Sequence, residues 1–180
     1  MNTINMKTKI ITIVGKSNSG KTTLLEKLIP HLTKRGYKIG SVKHAHDGFE
    51  MDKEGKDSWR HRKAGASATL VISENTVAIV KDDKQSYIEK MKSYLSDMDI
   101  VLAEGFKRQK LPKIEVFRTE SVHKEPLCMD DENLIAFVTN SSYKPDVPLF
   151  GLEDICQIAD FIELNFLKSS QHAKNEFETK

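Results

Sequence analysis

The sequence predicts an α/β fold, a three-layer sandwich on a mostly parallel sheet with a small β-ribbon beside it. Three observations carry that prediction. Lys9-Ile10-Ile11-Thr12-Ile13-Val14 is rich in β-branched residues and stops at a glycine, the mark of a buried parallel strand. Gly15-Lys16-Ser17-Asn18-Ser19-Gly20-Lys21-Thr22 follows at once and fits G-x-x-x-x-G-K-[ST] without a mismatch. An amphipathic helix and a second strand then complete a βαβ crossover, which requires parallel strands with a helix packed across them. Strand, glycine-rich turn and helix in that order make the fold one of the P-loop NTPase type.

The elements follow from the same physics. The first helix spans Lys21 to Arg35, with Leu24, Leu25, Leu28, Ile29 and Leu32 on one face. Gly36 stops it, and Lys34 and Arg35 sit favourably near its C-terminal dipole. Tyr37 to Lys43 reads as the second strand. His44 to Asp57 is polar, dense in His, Asp, Glu and Lys, and segments of that kind inside compact domains are usually functional. Ser58 to Ala64 is a short helix ending near Gly65. Thr69 to Ser73 and Thr76 to Lys81 form a hairpin across Glu74-Asn75. Gln85 to Leu95 is an amphipathic helix, with Ile88, Met91 and Leu95 inward. Asp99 to Ala103, Ile114 to Phe117, Leu134 to Val138 and a short Val147 to Phe150 are further strands. Asp154 to Leu167 closes the fold as a helix, with Ile155, Ile158, Ala159, Ile162 and Phe166 at helical spacing.

Composition bounds the rest. A length of 180 residues with 38% hydrophobic and 30% charged side chains suits one domain, expected over 9–168. A flexible leader at 1–8 and a polar tail at 169–180 are expected to flank it. A net charge of +2 gives no footing for nucleic-acid binding. No run approaches the roughly 20 apolar residues of a membrane span, and the first residues lack a signal-peptide core. A cytoplasmic location is the expectation, with Cys128 and Cys156 as ordinary reduced side chains.

The chemistry gathers at the turn after the first strand. Its glycines let the backbone curl around an anion, so that the amides of Gly15 and Ser17 through Thr22 point inward beside the helix N-terminus. Lys21 is then the residue that reaches the β- and γ-phosphates of a nucleotide, and Thr22 Oγ a ligand for Mg²⁺. Lys16, five residues before Lys21, has the spacing of the lysine that crosses the interface in dimeric P-loop ATPases. Ser17-Asn18 stands where those proteins carry two glycines, which favours a solvated loop lysine.

Such a site needs a carboxylate at the carboxyl end of a neighbouring strand. Asp99 begins its strand and so belongs at the far end, whereas Glu104 closes the same strand and is the better metal-side acid, with Gly105 allowing the γ-phosphate to approach. The loop after the second strand offers Lys43, Lys56, Arg60 and Arg62 as phosphate donors and Asp52 or Asp57 as a second acid near Mg²⁺. His44 and His46 alone are thin support for a transition-metal site. Asn140, ending the strand from Leu134, is a candidate for reading a purine edge; no Asn-Lys-x-Asp motif accompanies it, so base choice stays open. Trp59 reads as a packing residue.

Beyond the P-loop, Gly15-x-x-x-Ser19-Gly20-Lys21-Thr22-Thr23-Leu24, Lys43-His44-x-His46, Asp52-x-x-Gly55-Lys56-Asp57-Ser58, Arg62-x-Ala64-Gly65-Ala66 and Glu104-Gly105-Phe106-Lys107 stand in one order. Together they resemble the molybdopterin-guanine dinucleotide biosynthesis adapter (MobB) family over roughly residues 9–150. The resemblance implies a GTP- and Mg²⁺-binding protein, at most a weak GTPase and usually a homodimer. It would assist the molybdenum cofactor guanylyltransferase that joins GMP to molybdopterin to give the guanine dinucleotide. It also implies that the ribbon at 69–81 mediates dimerisation. Gly15, Ser19, Gly20, Lys21, Thr22 and Thr23 carry over as phosphate and Mg²⁺ contacts and Glu104 as the strand-end acid. Lys43, His44, Asp52, Asp57, Arg62 and Lys107 match positions around the cleft. Two other classes stay open on the residues: an autonomous small P-loop kinase or ligase, gripping an acceptor with Arg60, Arg62 and Lys107, and a metallochaperone-type GTPase using His44 and His46.

Overall fold

The computed structural model describes residues 8–46, 48–50 and 52–168, so the expected leader (Thr8 apart) and tail lie outside the described residues. The chain forms two compact units, one of residues up to His44 together with those from Met91 onward, the other Ala45–Lys90.

In the first unit, β1 (Lys9–Val14), α1 (Lys21–Lys34) and β2 (Ile39–Lys43) form the expected crossover. The second unit carries α2 (Asp57–Lys63), β3 (Ala68–Ile72) and β4 (Val77–Lys81). From α3 (Tyr87–Tyr94) the chain continues into β5 (Ile100–Glu104), β6 (Lys113–Phe117), β7 (Leu134–Thr139), β8 (Leu149–Phe150) and α4 (Ile155–Ile162). The sheet of the first unit runs β2-β5-β1-β6-β7-β8, and each pair in it is parallel. β1 is therefore central, with β5 on one side and β6 on the other. All three strand ends open on the same edge, with Ile13 level with Glu104 and Ile114, and Lys43 level with Glu104. In parallel α/β sheets that edge is where ligands bind.

Alternation along the strands sorts the core. Ile11, Ile13, Ile100, Leu102, Ile114, Val116, Ala136 and Val138 face α1 and α4, where Leu28, Leu32, Ile158 and Ile162 bury fully against them. On the other face a Cβ at Gly40 would meet Met98 Cγ at 3.0 Å and Leu95 Cδ1 at 3.1 Å. Glycine there lets the 95–98 turn lie directly on the sheet. Two charged residues of β6 also face that way and are buried. Lys113 pairs with Asp131 at 2.8 Å, and Glu115 accepts the backbone N–H groups of Leu127 and Cys128.

Most element boundaries move by a residue or two from expectation, and three changes stand out. The second strand starts two residues late, because Lys38 is held by Asp99: its N–H donates to the carboxylate at 2.8 Å and its carbonyl accepts the Asp99 N–H at 2.9 Å. This fixes Asp99 at the amino end of β5, far from the cradle, as its place in sequence implied. The strand foreseen from Val147 shortens to Leu149–Phe150. The last helix changes from α to π over Glu163–Leu167. There Asn165 Nδ2 donates to the Phe161 carbonyl at 2.7 Å, occupying the acceptor that the α-helical N–H of the same residue would use.

Within the second unit, β3 and β4 form an antiparallel ribbon with Leu70 opposite Ile79 and Ile72 opposite Val77. The Ser73 N–H donates to the Thr76 carbonyl at 2.8 Å and closes the turn. Leu70, Ile72, Val77 and Ile79 share one face of the ribbon and are 44–66% exposed. Among the described residues, no helix is long and apolar enough to cross a membrane.

Candidate functional site

The cradle is built by three residues in left-handed backbone conformations: Gly15 (φ +142°), Asn18 (φ +60°) and Gly20 (φ +98°). At Gly15 glycine is obligatory twice over. Its φ is hostile to side chains, and a Cβ there would lie 2.4 Å from the Val116 carbonyl oxygen and 2.6 Å from Ser19 Oγ. Ser19 is 2% exposed and its Oγ has no hydrogen-bond partner. Buried hydroxyls in native proteins are almost always satisfied, so an orphan inside a curl of backbone amides marks the place of a missing acceptor. Ser17 and Asn18 lie exposed on the rim, and Thr23 is exposed on the first turn of α1.

Lys21 Nζ bends back to donate to the Lys16 carbonyl at 2.8 Å. Burial is the main cause that holds its pKa below the ordinary lysine value; the Glu104 carboxylate opposes this, and Lys43 and Lys107 add to it. A desolvated ammonium beside two other cations is a group that gains from an arriving anion. Lys16 contributes its carbonyl to this closure.

The other wall comes from the ends of β5 and β2. Thr22 Oγ1 donates to Glu104 Oε2 at 3.0 Å, and Lys43 Nζ stands 3.8 Å from Oε1. A hydroxyl and a carboxylate side by side at the phosphate mouth are hard oxygen donors of the kind Mg²⁺ takes, so these residues fit that ion. The Gly105 N–H donates to the Ile13 carbonyl at 2.9 Å, and the His44 N–H to the Glu104 carbonyl at 3.0 Å, which ties this wall to the cradle strand. The His44 ring packs on Phe106 with centroids 4.8 Å apart. Among the described residues no group of three His, Cys, Asp or Glu could hold a metal ion, and His44 serves as a packing residue of the wall.

Four predicted site residues have other local partners. Asp52 belongs to the second unit, where it accepts a 2.8 Å hydrogen bond from Ser58 Oγ; Asp57 and Arg60 form an exposed ion pair there. Asn140 is committed to the strand ends. Its Oδ1 accepts the Thr119 N–H at 3.0 Å, and its Nδ2 donates to both Glu120 carboxylate oxygens. The residue that sequence reasoning passed over is Arg118, directly after β6, whose Cδ would be 3.5 Å from a Cβ on Gly20. Its signal in the sequence was position alone: a cation at the carboxyl end of a strand.

The family model described as "Molybdopterin guanine dinucleotide synthesis protein B" matches residues 10–140. The chain belongs to the MobB family. The "Molybdopterin-guanine dinucleotide biosynthesis adapter protein" of Haemophilus influenzae is 40% identical over 166 residues, 89% of this chain and 90% of that one. The protein of the same name from Escherichia coli is 36% identical over 158 residues, 85% of this chain and 90% of its own. A solved structure titled "The Crystal structure of Bacillus subtilis MobB" superposes with a TM-score of 0.69 at 26% identity, covering 88% of this chain and 98% of the other. The MobB architecture is thus the one described above. The chain's role lies in synthesis of the guanine dinucleotide form of the molybdenum cofactor.

Proposed function

We propose that this MobB protein is a cytoplasmic, homodimeric adapter that binds GTP with Mg²⁺ and assists the guanylyltransferase that attaches GMP to molybdopterin. The observation that carries the nucleotide reading is the Gly15–Thr22 cradle with its orphaned Ser19 hydroxyl and its folded-back Lys21. Lys21 would exchange the Lys16 carbonyl for phosphate oxygens, while the amides of the curl take the rest. Thr22 and Glu104 would hold Mg²⁺, which supplies charge neutralisation on the phosphates. Glu104 already accepts from Thr22 and faces Lys43, so its role is to hold and orient rather than to take a proton from water. That supports slow hydrolysis at most, and an adapter in place of a fast enzyme. Lys43 and Lys107 are close enough to act on the charge of Lys21 and would favour a second anionic ligand at the same mouth, as the phosphate of molybdopterin would be.

The apolar face of the β3–β4 ribbon supports the homodimer, because a two-fold axis would place Leu70, Ile72, Val77 and Ile79 against their own copies. Calorimetric titration with GTP and Mg²⁺ tests the nucleotide reading. Saturable 1:1 binding is expected, with a loss of about a hundredfold or more in Lys21→Ala, since a charge-assisted contact to phosphate disappears. Absence of binding, or binding indifferent to Lys21→Ala, sinks it. Stimulation of a guanylyltransferase by the wild type and not by Lys21→Ala tests the adapter role.

A further inference from the structure

Arg118 follows β6 at the carboxyl edge of the sheet, one strand away from the cradle strand. A Cβ on Gly20 would stand 3.5 Å from Arg118 Cδ and 3.9 Å from Nη1, so the side chain runs alongside the residue that opens α1. This is an awkward place for a cation. A helix N-terminus carries partial positive charge, and a guanidinium beside it is repelled unless an anion lies between them. The Arg118 Nε is buried and has no hydrogen-bond partner, and a buried N–H without an acceptor is costly. Glu120 does not relieve it. Its Oε2 stays 3.7 Å from Nε, beyond hydrogen-bonding reach, because Asn140 Nδ2 holds the carboxylate at 2.8 and 3.0 Å. Asn140 is fixed in turn by the Thr119 N–H. Ser19, the neighbour of Gly20, carries the second buried polar atom here without a partner. Arg118 and the positive end of α1 meet at Gly20, next in sequence to the unsatisfied Ser19 hydroxyl, and an acceptor with negative charge suits that place.

We infer that Arg118 is a nucleotide-binding residue whose guanidinium contacts a phosphate oxygen of the bound nucleotide, with Glu120 and Asn140 as the pair that orients it. The inference rests on the nucleotide reading of the cradle and adds to it a contact outside the P-loop. It also gives Asn140 a positioning role behind the arginine.

The test is titration of the full chain with GTP and GDP in the presence of Mg²⁺, at several salt concentrations. Arg118→Ala is expected to weaken both nucleotides about tenfold or more, as loss of a charge-assisted contact does. Arg118→Lys should recover part of the loss, since a point charge replaces a planar fork. The salt dependence of the affinity should become shallower in Arg118→Ala, which a merely structural residue would not cause. Asn140→Ala should fall between Arg118→Ala and wild type. The melting temperature of the unliganded Arg118→Ala protein should stay level or rise, because the change removes an unsatisfied buried N–H. Wild-type binding with Arg118→Ala within twofold of it overturns the inference and leaves the cradle reading intact. A loss that Arg118→Lys does not recover and that leaves the salt dependence unchanged points to stacking on the base, and overturns the phosphate contact. No nucleotide binding by the wild type overturns the cradle reading and this inference together.

Discussion

The cradle and the β3–β4 ribbon are both incomplete, and in opposite chemical senses. At the cradle the missing partner is polar: Ser19 Oγ and Arg118 Nε are buried without acceptors, and Lys21 is desolvated next to other cations. On the ribbon the missing partner is apolar: Leu70, Ile72, Val77 and Ile79 are 44–66% exposed along one face. Unmatched polar groups call for a charged ligand, because only hydrogen bonds and opposite charge repay their burial. An unmatched apolar face calls for a surface that removes it from water. The two regions should therefore respond to different perturbations.

The largest effect is expected at Gly15. Gly15→Ala places a methyl group 2.4 Å from the Val116 carbonyl, which is backbone and cannot turn aside, in a φ region that penalises side chains. Nucleotide binding should fall below detection, and the chain should lose about 2–4 kcal/mol of stability in chemical unfolding. The oligomeric state in light scattering should not move if cradle and ribbon are independent. Retained binding would show that the curl opens more freely than its contacts indicate.

The converse change is Ile72→Glu, with Leu70→Glu as a second variant. Each would bury a carboxylate in the proposed dimer contact, at a cost of several kcal/mol unless it is paired. Sedimentation should show the dimer converted largely to monomer, with affinity for GTP and Mg²⁺ within about twofold of wild type. A dimer that survives both changes places the interface elsewhere. Monomers that also lose nucleotide would end the separation drawn between the two regions.

What could be read from the sequence divides along the same line. The strands β1, β5 and β7 and the helix α1 were legible because near-continuous apolar runs buried on both faces, and a leucine stripe, announce themselves locally. The P-loop was legible because its residues are contiguous, and Glu104 because strand direction alone puts it on the ligand edge. The contacts of Arg118 and Asn140 were not. Their meaning depends on β6 lying between β1 and β7, which brings Arg118 to Gly20 and Glu120 to Asn140, and no local pattern encodes that order. The π turn at Glu163–Leu167 was hidden for a related reason. Phe166 keeps a helical spacing whether the turn is α or π, and the side-chain bond from Asn165 decides which forms.

The smallest effect sharpens the comparison by supplying a polar pair with nothing missing. Lys113 is 2% exposed and its ammonium meets Asp131 at 2.8 Å; Asp131 also accepts from the backbone and side-chain amides of Asn133. The Lys113 hydrogen bond is the main favourable cause that draws the Asp131 pKa down, to about 2 from 3.8. A depressed carboxylate pKa contributes stability that is present above the unfolded value and lost as pH falls through the folded one. The contribution should therefore be whole near pH 7 and disappear between about pH 4 and pH 2. Asp131→Asn should cost about 1–2 kcal/mol at neutral pH, the partial exposure of the carboxylate keeping it at the lower end of what the shift allows. The gap between variant and wild type in urea unfolding should close as the pH is taken down through that window. Because this pair is already satisfied, affinity for nucleotide should not change. A fall in affinity would mean that the loop from β6 to β7, which Asp131 anchors, takes part in the site, and the line between satisfied and waiting polar groups would have to be drawn further out.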